Sequence, residues 1–432
     1  MKCACRKGAA MTDEELKKLY SLTEDGVGED DEELNSLLWR IRKRVAKNYP
    51  VDKPQPVEKK VEYIELFFDL IFVHSLRTIN ALFHGITDRM PSQELMLTFF
   101  FLMAVVLQVW MFTTMFFNRY GRKSIRDYVS IFINMFCLYY MASGSNIRWM
   151  EHYIRYHVAF TAILLNLAYR SFDKYMFAPH MDALDKKILK RNYFILLSEA
   201  ALVVISIFLH EMYGLVLSPF AIMYGYIAKA VQEKLYAQRP CDFPHLAERN
   251  LLLVILTFGE MIIGISEYFE VGENFLEGLA SFLIVIGMFM AYAYFNDNIL
   301  DHHKETSGLA FLFIHVLMIL AINSTTVALE YMSHKTGPIL AKTMWMVMSQ
   351  FVYYACLMST EIYAKPKMKR SYGYVGFVLS ILLLYVPLML GFGSNVIVGK
   401  ILTVFAVYLI LYTLIRTHTH DIRMINVGGY IG

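Results

Sequence analysis

About twelve apolar stretches recur every 25–35 residues from position 61 onward, and this recurrence limits the possible folds more than any other feature. They centre on 62–85, 95–117, 127–144, 153–171, 192–210, 213–232, 247–269, 275–296, 308–331, 340–363, 372–392 and 395–416. As helices rising 1.5 Å per residue, such stretches cross roughly 30 Å of hydrocarbon. Of the 432 residues 56% are hydrophobic and 18% charged, well above the roughly 45–50% apolar share of soluble chains. The expectation is an all-α, polytopic membrane helix bundle of about 12 transmembrane helices with the lipid bilayer as its main partner. Two or three soluble domains would fit the length but not the hydropathy.

The connections orient these spans. Cations crowd the segments after spans two (Arg119, Arg122, Lys123, Arg126), four (Lys174, Lys186, Lys187, Lys190, Arg191), six (Lys234, Arg239) and ten (Lys365, Lys367, Lys369, Arg370). The alternate connections hold little beyond Arg89, Arg148 and Lys335. The positive-inside rule then places both termini in the cytoplasm, and the cell membrane is the expected location. Residues 1–60 differ in composition. "TEDGVGEDDEE" reads as solvated linker, and Leu34, Leu37, Leu38, Ile41 and Val45 line one face of a short cationic amphipathic helix. The first apolar span begins near residue 61, so no N-terminal signal peptide of the usual form is expected. The domain reading is a 1–60 tail, a first six-helix half over 61–232, a second over 245–416 and a tail over 417–432.

The first span, "VEYIELFFDLIFVHSLRTINALFH", is costly for a membrane helix, since buried charges there are expensive and usually functional. At 100° per residue Glu62, Glu65, Asp69, Arg77, Asn80 and His84 share roughly a 120° arc, with His74 off it. Span seven, "HLAERNLLLVILTFGEMIIGISEYF", puts His245, Arg249, Glu260 and Glu267 on one face, with Glu248 at its edge. Each charged span precedes one that ends in an aromatic-plus-amide phrase, "MFFNR" (115–119) and "AYFND" (293–297). This echo suggests two parallel six-helix repeats about an axis along the membrane normal. The plain alternative is that the acids pair with arginines on neighbouring helices and only lock the bundle.

"ELFFDLIFV" (65–73), "FFNRYG" (116–121) and "HLAERNLLLVILTFGE" (245–260) resemble the bacterial low temperature requirement A (LtrA) family over about 60–416. Asn250 and Leu251 replace the family's usual Phe and Gly, while Glu248, Arg249, Gly259 and Glu260 stand in place; Asn296 stands where Asp is common. The resemblance implies a multi-pass membrane protein of undefined biochemistry, named for a cold-growth phenotype. The first helix is also faintly similar to that of two-repeat, six-span cation channels, without the serine between Phe68 and Asp69.

The functional expectation is a secondary transporter of an ion or small solute, with Asp69 and Glu260 as coupling carboxylates. Glu65, Glu248 and Arg249 complete the candidate pathway together with His74, Arg77 and His315, the last three as proton relays or anchors for an anionic solute. A cation channel lined by the duplicated first helices and a non-transporting stress sensor are the alternatives. There is no P-loop, Rossmann fingerprint or G-x-S-x-G, so no enzyme and no cofactor are expected. The Cys3/Cys5 pair and "DHH" (301–303) lack further ligands at metal spacing, and no metal site is expected. The net charge of +3 without a basic run argues against nucleic acid, and a homo-oligomer is compatible with the pattern.

Overall fold

The computed structural model describes residues 59–84, 91–122, 124–145, 149–178, 181–209, 214–267, 274–333, 338–368 and 372–428. The amphipathic segment at 34–45 and Cys3/Cys5 lie outside them. The chain separates into a unit over 1–58 and a second over 59–432, which holds everything described below.

All twelve apolar stretches are helical. We label them α1 (Tyr63–Asn80), α2 (Gln93–Tyr120), α3 (Ile125–Gly144), α4 (Tyr153–Phe177), α5 (Ala183–Phe208) and α6 (Gly214–Ala230). There follow α7 (Phe243–Glu267), α8 (Phe275–Tyr294), α9 (Leu309–Ser333), α10 (Ile339–Thr360), α11 (Tyr372–Phe392) and α12 (Val396–Gly428). A five-residue helix, Glu233–Ala237, bridges α6 and α7, and an isolated bridge ties Leu300 to Ala364. Among the described residues eight helices are long and apolar enough to cross a membrane: α1, α2, α5, α7, α8, α9, α11 and α12. The other four fall short for physical reasons. α6 has only 17 residues, whereas α3, α4 and α10 carry polar groups such as Asp127, Arg170 and Gln350 along their length.

Side chains sort as a lipid solvent would require. Phe136, Leu383 and Phe405 are about 70% exposed, while Gln108, Asn134, Glu199 and Thr325 are fully buried. Apolar residues outside and polar ones inside suit a bundle whose surroundings are hydrocarbon. Helix starts are capped from the sequence itself. The Ser92 hydroxyl accepts the Leu95 N–H, and Ser124 accepts that of Asp127. At α1 the Glu62 and Glu65 side chains form a reciprocal capping box.

α1 packs against α2, α3, α7 and α9, and α7 against α1, α2, α8 and α9, so these two helices occupy the middle. In the first six helices α1 meets α2 and α3, α3 meets α4, α4 meets α5, and α6 closes on α5 and α2. In the second six, α7 meets α8 and α9, α9 meets α10, α10 meets α11, and α12 closes on α11 and α8. The α8–α12 contact is tight at Gly287, where an added Cβ would stand 2.4 Å from Val407 Cγ1. Gly287→Leu should therefore destabilise the bundle by about 1–3 kcal/mol, the usual range for overpacking, read as a lowered denaturation midpoint in detergent.

Candidate functional site

Three segments far apart in sequence converge where α1, α2 and α7 meet. α1 and α7 run parallel, because Glu65 faces His245, Asp69 faces Arg249 and Arg77 faces Glu260 in rising order. A 3.6-residue period puts positions 65 and 69 of α1, and 245 and 249 of α7, one turn apart on a single face. Arg249 is 1% exposed and reaches two carboxylates at once. Its guanidinium lies 3.0 Å from Glu65 Oε1 and 2.7 Å from Asp69 Oδ1.

The two acids have different surroundings. Glu65 Oε2 accepts from its own capping-box N–H, Glu62, at 3.0 Å and faces His245 Nε2 at 3.1 Å. Asp69, fully buried, takes both of its donors on one oxygen: Trp110 Nε1 at 2.9 Å and the Arg249 guanidinium. Its second oxygen, Oδ2, is buried without a hydrogen-bond partner. The Arg249 guanidinium also stands 5.9 Å from the Trp110 ring, within reach of the ring's quadrupole.

The tautomer of His245 follows from Asn118. The Asn118 amide is oriented by Asp242, donating Nδ2–H to the Asp242 carbonyl (2.8 Å) and accepting the Asp242 N–H at Oδ1 (3.2 Å). Asn118 Nδ2 also lies 3.0 Å from His245 Nδ1, so that nitrogen accepts. The ring proton then sits on Nε2 and is donated to Glu65, which leaves a neutral imidazole fully satisfied. Lys59, just before α1, donates Nζ to the Phe117 carbonyl at 2.6 Å, and its burial holds its ammonium below the usual lysine range.

This cluster borders water. A polar basin of about 430 Å³ is lined by Asn118, Arg119, Tyr120, Asp185, Arg239 and Asp242 among others. Asn118 and Asp242, on its wall, are the residues that hold His245. On the other side of the cluster, Phe72, Val73 and Leu76 are buried and apolar. Beyond them Arg77 Nε meets Glu260 Oε1 at 3.2 Å, with the Arg77 side chain half exposed. Asn80 donates to Asn323 at 2.8 Å, and His84 pairs with Glu330 at 2.8 Å.

The candidates from the sequence divide accordingly. Glu65, Asp69 and Arg249 come together, and Arg77 with Glu260 forms a separate pair about 12 Å further along α1. His74 is exposed and stacks on Tyr139, and Glu248 is exposed, away from the Arg249 cluster. His315 is a satisfied core histidine, with Nδ1 on the Phe311 carbonyl (2.8 Å) and Nε2 on the Tyr292 hydroxyl (3.1 Å). Sequence reasoning left Trp110, Asn118 and Asp242 out of the site and kept His245 only as a stripe residue. Asn118 had a signal, since it lies inside the aromatic-plus-amide phrase that closes α2. Its counterpart Asn296 is 4% exposed inside a π-helical turn, Phe295–Ile299, whereas Asp297 is exposed. Among the described residues no group of three or more His, Cys, Asp or Glu could hold a metal ion.

The residues that meet here are those of the three quoted phrases: Glu65 and Asp69 from the first, Asn118 from the second, His245 and Arg249 from the third. The profile of the bacterial low temperature requirement A protein (LtrA) family matches residues 60–412. The chain belongs to the LtrA family. No curated protein and no solved structure is significantly similar to it. The match spans both sets of six helices and, with eight helices apolar enough to cross a membrane, identifies an LtrA-family, multi-pass, membrane-type helical protein.

The cluster makes unequal demands on its members. Arg249→Gln leaves two buried acids without their cation and should cost about 3–5 kcal/mol. Asp69→Asn keeps the acceptor for Trp110 and Arg249 and still leaves Glu65 opposite the guanidinium, so its cost should stay within about 1 kcal/mol. Denaturation of the two purified variants in detergent checks the ranking; equal losses would contradict it.

Proposed function

We propose that this LtrA-family protein is a secondary transporter in which Asp69 binds and releases the coupling proton. The observation that carries the reading is the charge count around Arg249. Among the buried groups Glu65 and Asp69 supply two negative charges and Arg249 one positive charge, and the hydrogen bonds of His245 suit its neutral form. Lys59, only partly buried, turns its ammonium to the Phe117 carbonyl. One proton on the cluster brings its charge to zero, which a low-dielectric site strongly favours. Asp69 Oδ2 is the place for it: Glu65 Oε2 meets Glu62 N–H and His245, and Glu65 Oε1 lies 3.0 Å from the Arg249 guanidinium, whereas Asp69 Oδ2 is buried without a hydrogen-bond partner. A carboxylate too short to reach water from mid-helix must otherwise stay paired or hydrated.

The basin beside Asn118 and Asp242 supplies the route on one side. The apolar layer of Phe72, Val73 and Leu76 separates that side from Arg77–Glu260, so a proton entering from the basin meets Asp69 before that layer. The matching order of helix contacts in the two sets of six supports a parallel repeat, with all twelve helices spanning the membrane and α1 and α7 at its centre. The Lys/Arg asymmetry of the connections supports cytoplasmic termini in the cell membrane, which puts the basin on the cytoplasmic side. Glu260 then serves as the ion-paired acid of the opposite side.

Reconstitution into liposomes loaded with a pH-sensitive dye, screened against candidate ions and metabolites, tests the function. Wild-type protein should show saturable, solute-dependent proton movement, and Asp69→Asn should lose it while inserting and melting normally. Undiminished proton flux in Asp69→Asn would sink the reading, and unitary currents would favour a channel. Orientation has a separate check. Lys187→Cys, exposed at the start of α5, should resist an impermeant thiol reagent in intact cells and react once the membrane is opened.

A further inference from the structure

A second buried acid lies in the first six helices, away from the Arg249 cluster. Glu199, in the middle of α5, is 0% exposed and packs on Gly225 of α6. A Cβ at Gly225 would lie 2.4 Å from each carboxylate oxygen and 2.3 Å from Gln108 Nε2 of α2. The glycine therefore makes the space that the acid occupies. Gln108 donates Nε2–H to the Ile222 carbonyl at 3.0 Å, which fixes the orientation of its amide. Its Oε1 and both oxygens of Glu199 are buried without a hydrogen-bond partner. The Gln108 amide nitrogen and both Glu199 oxygens crowd the same space beside Gly225, yet that nitrogen is spent on Ile222 and neither carboxylate oxygen has a hydrogen-bond partner.

The other titratable groups that face this region are already engaged. Lys229, one turn along α6 from Gly225, donates Nζ to Asn192 Oδ1 at 2.6 Å and stands 5.0 Å from the Phe112 ring. Asn192 Oδ1 also accepts the Tyr236 hydroxyl at 2.5 Å, and Tyr226 donates its hydroxyl to the Ala104 carbonyl at 2.8 Å. Thus the ammonium has an oxygen and an aromatic face to carry its charge, while neither carboxylate oxygen has a hydrogen-bond partner or a cation in contact. The bundle itself does not require an acid at such a place. At the α8–α12 contact, the space beside Gly287 is filled by Val407 and Tyr408.

We propose that Glu199 is a proton-binding site within the first six helices, independent of the transport reading above. With α6 packed on it, Glu199 is a neutral carboxylic acid, because neither of its oxygens has a hydrogen-bond partner or an ion pair to carry a charge. One proton thereby removes a buried charge that nothing beside the carboxyl answers. The proton leaves to water when α6 moves off the carboxyl. Pro219, inside α6, removes a helical N–H one turn before Ile222 and makes this the helix best suited to such a movement.

Infrared spectroscopy of the full-length chain in lipid nanodiscs at neutral pH tests the site. Wild type should show a carboxylic-acid C=O band that Glu199→Gln lacks, with the melting curve of the variant in place. Superimposable spectra would overturn the proposal. Lys229→Met gives an answer even if the first variant fails to fold. A Glu199 that is already neutral leaves the carboxylic-acid region of Lys229→Met as in wild type. A new acid band appearing only in that variant would mean that Glu199 is ionised as the partner of Lys229, and would refute the site.

Discussion

A guanidinium that is 1% exposed between helices must have its charge answered nearby, and Arg249 sets the terms for the middle of this bundle. Burying an ion in a medium of low dielectric costs several kcal/mol even after relaxation, which only close and well-oriented counter-charges offset. Arg249 obtains them from the neighbouring helix, at Glu65 and Asp69. That demand fixes the register of α7 on α1, since a slip of one residue would rotate each partner by 100° off the shared face. Trp110 and Asn118 then follow, because an Asp69 oxygen and a His245 nitrogen inside the same contact also need partners. α2 is held against both central helices by these two hydrogen bonds.

Much of this arrangement was legible in the sequence. Helix positions followed from hydropathy alone, and the charged stripes of α1 and α7 follow from a 3.6-residue period. Both stripes needed shelter from lipid, so their meeting was foreseeable. Which acid meets which arginine was not, because a stripe gives a face but not a register between two helices. Asp69 is closer in sequence to Arg77, yet it pairs with Arg249, and Arg77 pairs with Glu260. Glu248 illustrates the reverse limit. It sits beside Arg249 in a quoted phrase, but adjacent helix positions point about 100° apart, and it is exposed. Trp110 and Asp242 carried no signal, since their roles come only from where α2 and the start of α7 lie.

The two acids on Arg249 are not interchangeable, and the difference lies in their donors. Glu65, at the first turn of α1, is served by a free backbone N–H, by His245 and by the guanidinium. Asp69, one turn deeper, has both donors on one oxygen and an empty second oxygen. That difference is the one the proposed proton exchange draws on. In the proposed transport reading, Glu65 is the permanent counter-ion and Asp69 the group that exchanges.

The central claim is that Glu65 is the counter-ion of Arg249 across the α1–α7 contact. A double-mutant cycle with Glu65→Gln and Arg249→Gln, read from denaturation of the purified protein, measures it most directly. The account predicts a favourable coupling of about 1.5–3 kcal/mol, the range for hydrogen bonds to charged groups, with the double variant more stable than additivity would give. Additive losses within about 0.3 kcal/mol would contradict it, because the two side chains would then be buried without depending on each other.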